Sequence, residues 1–111
     1  MRSPRLKGTF GERRKILPFF LVTITHPDGE GWGQHVASHV AFLKRLVEAG
    51  QVRVSGPLNG LGKRAGFIIM TVDDIAEAHA LIEQDPFATE GLIDELTILE
   101  WTPMFGSLAG P

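Results

Sequence analysis

An α+β domain with the element order strand, helix, strand, strand, helix, strand is the fold this sequence predicts, and three observations predict it. Four short segments rich in Phe, Val, Ile and Thr end in Gly, Pro or Asp turns. Two other segments repeat their apolar residues at helical spacing. The chain of 111 residues is one domain in size, because a second domain normally needs as many residues again.

The first strand is expected over Pro18 to Thr25, running into the turn His26-Pro27-Asp28-Gly29. Gly29, Gly31 and Gly33 then space a loop around Trp32; the pattern lacks the last glycine of GxGxxG, which argues against a nucleotide-binding turn. A helix follows from Gln34 to Ala49, with Gly50 as its stop. At 100° per residue, Val36, Val40, Leu43 and Val47 form one stripe, and His35, His39, Phe42 and Leu46 an adjacent one. Gln34, Ser38, Lys44, Arg45 and Glu48 are expected to face away. One stripe covers a sheet, and the histidine stripe then requires another cover, a partner subunit or a ligand.

Val52 and Val54 alternate with Arg53 and Ser55 before Gly56-Pro57, which gives a second strand. Ala65 to Val72 is a nearly continuous apolar strand, as expected of a central one. A second helix follows, capped by Thr71 or Asp73, with Ile75, Ala78, His79 and Ile82 on its packed side. Asp85-Pro86 ends it, since the residue before proline is driven out of helical geometry. Leu92 to Trp101 is the last strand, where Asp94 and Glu95 point to opposite faces and cannot act as a pair. This order is that of the ferredoxin-like βαββαβ fold, an antiparallel sheet with two helices on one face. The other face calls for a cover, and face-to-face homodimerisation of the dimeric α/β barrel type supplies it.

Composition narrows the function. With no cysteine, thiolate catalysis, disulfides and Cys-type zinc sites are excluded, and a reducing, cytoplasmic setting is expected. The longest apolar runs fall far short of the roughly 20 residues that span a bilayer, so no membrane association is expected. Six of the 11 Lys and Arg residues lie in the first 15 positions against one acid, and five against 12 acids follow. Residues 1–15 are therefore read as a basic N-terminal extension, 16–105 as the domain and 106–111 as a C-terminal tail. The extension has one aromatic, Phe10, and an acidic body behind it, which disfavours a nucleic-acid partner.

His35 and His39, four apart, share a helix face at a spacing a metal can bridge, with His26 or Asp28 as candidate third ligands; spacing alone does not assemble that site, and no metal is assigned. His39 has a second use. An imidazole with an ordinary pKa of about 6.5 serves as general acid or base near neutrality when a carboxylate fixes its tautomer. Asp85, at the exit of the neighbouring helix, is the candidate carboxylate. The plainer reading makes Asp85 a turn residue and His39 an interface histidine. Ser55 either presents its hydroxyl to a pocket or serves its turn. His79 reads as a packed core histidine, and Trp32 as a pocket lid or a dimer contact.

The run from His39 to Gly50, followed by Val52, Val54 and Ser55-Gly56-Pro57, resembles the histidine helix and small-Gly-Pro turn of the YciI-like (YCII-related) family. Asp85-Pro86-Phe87 followed by Gly91 resembles that family's DPF signature, and the likeness covers Pro18 to Pro103. The resemblance implies a dimeric ferredoxin-like fold and an active site in which the family's histidine and aspartate fall on His39 and Asp85, with Ser55 at the small residue of the turn. It further implies chemistry without a cofactor, similar proteins acting in aromatic catabolism, including dehydrochlorination of hydroxyquinones. Many members carry an arginine three residues before the histidine, where this chain has Val36.

Two functions from different classes follow. The first is a cofactor-independent acid/base enzyme, a lyase, dehydrochlorinase or isomerase acting on a small metabolite. In it His39 and Asp85 are catalytic, and Ser55, Trp32, Phe42 and His35 bind the substrate. The second is a noncatalytic dimeric domain for a small ligand or an interaction partner, with His39 dry against the partner and no pocket beside Asp85.

Overall fold

The structure, a computed structural model, describes residues 16–109. The basic segment expected over 1–15 lies outside the described residues, as does the end of the tail. Four strands, β1 (Phe19–Thr25), β2 (Val52–Pro57), β3 (Ala65–Thr71) and β4 (Glu95–Trp101), form one antiparallel sheet in the order β2-β3-β1-β4. Between them run α1 (Gly31–Glu48), α2 (Ile75–Ile82) and a single turn α3 (Pro86–Thr89). This is the expected ferredoxin-like architecture with one additional helical turn, and β3 is central as its apolar run requires.

Side-chain parity assigns the two faces of the sheet. Phe20, Val22 and Ile24 of β1, Ile68 and Met70 of β3, Val52 and Ile98 form a buried layer beneath the helices. Phe42 and Leu46 of α1 and Ala78 and Ile82 of α2 close it from above. On the opposite face the register aligns Val54, Ile69, Leu21 and Leu99 in one row across all four strands. The outer members of that row, Val54 and Leu99, are 50% and 61% exposed.

Local chemistry sets the helix ends. Helix α1 stops at Gly50, whose φ of 80° suits glycine, and the bonds Gly50 N–H to Val47 O and Gln51 N–H to Leu46 O close a Schellman motif. At α2 the N-cap is Asp74, rather than Thr71 or Asp73. Its carboxylate accepts from the Glu77 N–H at 2.8 Å, and Glu77 accepts from the Asp73 N–H, in the manner of a capping box.

Several expectations are corrected. Helix α1 begins three residues early, so Gly31, Trp32 and Gly33 form its first turn instead of a loop. The last strand begins at Glu95, and Asp94 precedes it, 3.6 Å from the Lys63 ammonium. The two stripes of α1 exchange roles: Phe42 and Leu46 cover the sheet, while Val40 and Val47 are 42% and 51% exposed. His79 is exposed rather than packed, because Ile75 is itself 44% exposed and the buried side of α2 narrows to Ala78 and Ile82. Among the described residues no helix is long and apolar enough to cross a membrane.

Removing buried volume from α2 is expected to cost far more than removing its histidine. Ile82→Ala should lose about 2 to 5 kcal/mol in a urea unfolding titration, whereas His79→Ala should change stability by no more than about 0.5 kcal/mol.

Candidate active site

Asp85 has no solvent exposure, although it is a carboxylate at the surface-facing end of a helix pair. Its burial is supported from two directions. As N-cap of α3, with Pro86 at the first helical position, it accepts the Phe87 N–H at 3.0 Å. From α1, the Nδ1 of His39 approaches its two oxygens at 3.0 and 2.9 Å. A carboxylate that already accepts from a backbone amide takes another donor, so in the neutral ring of His39 the proton sits on Nδ1 and Nε2 keeps the lone pair. Among the described residues Nε2 has no hydrogen-bond partner.

Phe87 is the ring around which the site is arranged. His39 stacks on it with centroids 4.4 Å apart, His26 meets it at 4.6 Å in a tilted contact, and Trp32 stacks at 6.1 Å. Trp32 is covered in turn by the Arg64 guanidinium, 4.9 Å above its ring, and Arg64 also donates to the Gly29 carbonyl at 3.0 Å. That contact ties the β2–β3 connection to the start of α1. The N-terminal turn of α1 sits close on Leu92, where a Cβ on Gly31 would meet the Leu92 side chain at 2.7 Å.

A cavity of about 450 Å³ opens beside these rings, within the range of roughly 300 to 1,000 Å³ typical of small-molecule sites. Small residues make it. On the helix-facing side of the sheet Ser55 lies opposite Ile68, and Gly66 lies opposite both Pro57 and Ile24, so the strands offer little bulk beneath α1. Val36, Val40, Leu43, Lys44 and Val47 form the helix wall, and His26, Trp32, His39, Ser55 and Phe87 line the rest.

Of the residues singled out from the sequence, the structure brings His39, Asp85, Trp32 and Ser55 to one place. It leaves Phe42 in the core, 3% exposed, on the stripe that covers the sheet. His35 is also off the cavity wall, with Nε2 3.8 Å from the Glu90 carboxylate. Among the described residues no group of three or more His, Cys, Asp or Glu side chains is placed to hold a metal ion, and the fourfold spacing of His35 and His39 does not produce one. Beside the His39–Asp85 pair the cavity opens, and the His39 side chain is 17% exposed in the single chain.

Sequence reasoning missed two residues. Lys44, expected on the solvated side of α1, lines the cavity, since it is four residues from Val40 and borders that stripe. The sequence offers His26 as a candidate metal ligand alone. It is 5% exposed, its Nδ1 is 2.7 Å from the Leu92 carbonyl, and its ring reaches the cavity. The signal was available: Phe20, Val22, Ile24 and His26 share the helix-facing parity of β1.

The YCII-related domain matches residues 18–102. The chain belongs to that family. It is 34% identical over 68 residues to the uncharacterized protein YjpA of Bacillus subtilis (strain 168), covering 61% of this chain and 76% of that one. Among solved structures it is similar to the 5-chloro-2-hydroxyhydroquinone dehydrochlorinase TftG of Burkholderia phenoliruptrix AC1100, in complex with 2,5-dihydroxybenzoquinone. The TM-score is 0.67 at 27% identity, over 76% of this chain and 93% of that one.

If Asp85 serves both the α3 cap and the His39 ring, Asp85→Ala should cost about 1 to 3 kcal/mol in unfolding titrations, the penalty for stranding buried donors. Asp85→Asn, which keeps an acceptor for the Phe87 N–H, should recover most of that loss; equal losses in both variants would contradict the shared role.

Proposed function

We propose that this protein is a cofactor-independent acid/base enzyme that acts on a small hydroxylated ring compound by elimination of a leaving group or by isomerisation. One observation carries the reading: the His39 ring is held by a fully buried carboxylate at 2.9 Å while its other nitrogen is left without a partner at a cavity of about 450 Å³. The likeness to a dehydrochlorinase solved with 2,5-dihydroxybenzoquinone supports the substrate class.

In this mechanism Nε2 of His39 takes a proton from a substrate hydroxyl. The imidazolium returns that proton to the ring carbon that bears the leaving group, giving the keto tautomer; Nε2 then takes the proton of a second hydroxyl, and the electron pair left on that oxygen enters the conjugated system and drives out the leaving group, chloride in a dehydrochlorination, which departs with its bonding pair. The net change is loss of HCl. Asp85 stabilises the imidazolium that forms and holds the ring in orientation, and the proton passes to solvent afterwards. Ser55 binds a substrate oxygen, Trp32 closes the end of the cavity against Phe87, and Lys44 offers positive charge to an anionic product. Lys44 thus supplies a cation in a chain that lacks the family's arginine at Val36. The noncatalytic alternative has the same cavity bind a ring compound without transforming it.

The assembly proposed is a homodimer in which the row Val54, Ile69, Leu21 and Leu99 of one copy packs on the same row of the other. Two large apolar side chains on that row are exposed by half or more, which supports a cover of like chemistry.

Release of chloride from 5-chloro-2-hydroxyhydroquinone by the purified protein tests the enzyme reading. His39→Gln should lower the rate about 10²- to 10⁴-fold with an unchanged circular dichroism spectrum; full activity in that variant would remove the mechanism, and binding of 2,5-dihydroxybenzoquinone without any release would favour the noncatalytic one. Sedimentation equilibrium should give twice the 12.1 kDa chain mass, with Leu99→Glu shifting the protein to monomer; a wild-type monomer would refute the dimer.

A further inference from the structure

The cavity holds a second imidazole whose Nδ1 is engaged as that of His39 is, built from a different part of the chain. The Nδ1 of His26 lies 2.7 Å from the Leu92 carbonyl, which only accepts, so Nδ1 carries the proton and Nε2 the lone pair. The residue is 5% exposed, and Nε2 has no hydrogen-bond partner among the described residues. A buried acceptor without a partner is costly, and this one belongs to a ring that lines the cavity. Each imidazole packs within 4.6 Å of the same Phe87 ring, and both line the one cavity, which sets them at a common site.

We infer that His26 is a second substrate-binding base, accepting a hydrogen bond from a hydroxyl of the same molecule whose other hydroxyl meets His39. This rests on the proposed function and deepens it: two imidazole acceptors on the wall of one cavity select a ring carrying two hydroxyl donors. The backing groups divide the work. Asp85 offers a negative charge to a forming imidazolium, so His39 takes the proton. The neutral Leu92 carbonyl offers none, so His26 holds and orients the substrate. The backbone keeps that geometry, because His26 N–H donates to the Arg64 carbonyl at 3.0 Å and continues the strand ladder beyond Thr25.

The test compares two probes, 1,4-dihydroxybenzene under argon and phenol, by calorimetric titration of the full chain and of its His26→Phe variant, which keeps the contact with Phe87. The variant should bind the diol about three- to tenfold more weakly, the worth of one hydrogen bond, and phenol as well as wild type does. In wild-type protein labelled with ¹⁵N at its imidazoles, at a pH above the ordinary histidine value of about 6.5, the diol should move the Nε2 signals of both His26 and His39. This second measurement stands even where the variant does not fold. If the diol moves only His39, or His26→Phe weakens both probes equally, His26 is structural and the inference falls while the proposed function stands. If neither probe binds, both fall.

Discussion

Burying a carboxylate is the most demanding act in this fold, and the arrangement around Asp85 is the constraint on which the site depends. A charged group taken wholly out of water is tolerated only when its oxygens are satisfied. Here one amide and one imidazole satisfy them, at 2.9 to 3.0 Å. The amide comes from a helical turn that Pro86 starts and the carboxylate itself caps, and the imidazole comes from the middle of the long helix. The same two contacts that make burial affordable therefore fix the position of α3 against α1 and the tautomer of the ring that faces the cavity.

The rest of the site follows from that junction. Once α3 is in place, Phe87 is 1% exposed and becomes a floor for three rings: the two histidines and Trp32. The sheet contributes by what it leaves out, since Ser55, Gly56 and Gly66 keep the strands thin beneath the valine stripe of α1. Core and cavity draw on separate faces of one helix: Phe42 and Leu46 supply the core, while Val36, Val40 and Val47 wall the cavity. A Cβ added at Gly66 would meet the Gly56 carbonyl oxygen at 3.8 Å, an ordinary contact, so the openness comes from residue size rather than from backbone strain.

The architecture was legible in the sequence because period and punctuation agree: four strand-like segments, two helical ones and breakers at Gly50, Gly56-Pro57 and Asp85-Pro86. The pairing of His39 with Asp85 was legible from the family likeness and from the exit point of the second helix. Which stripe of α1 covers the sheet was not, because two adjacent apolar stripes are equally helical, and the choice lies with the size of residues on strands that the helix meets only in space. The single turn after Asp85 was hidden because Asp-Pro reads as a stop, although the same pair is also a helix start, cap followed by first-turn proline. The cap Asp74 and the cavity residue His26 are both written in local patterns, Asp-x-x-Glu in one case and strand parity in the other.

The central claim is that the carboxylate-held His39 presents its free nitrogen to a ligand in this cavity, and a crystal structure of the protein soaked with 2,5-dihydroxybenzoquinone tests it most directly. The account predicts a hydroxyl oxygen of the quinone about 2.6 to 3.2 Å from Nε2 of His39, with Nδ1 still bonded to Asp85. A quinone seated elsewhere on the molecule, or bound in the cavity with the histidine turned away from Asp85, would contradict it.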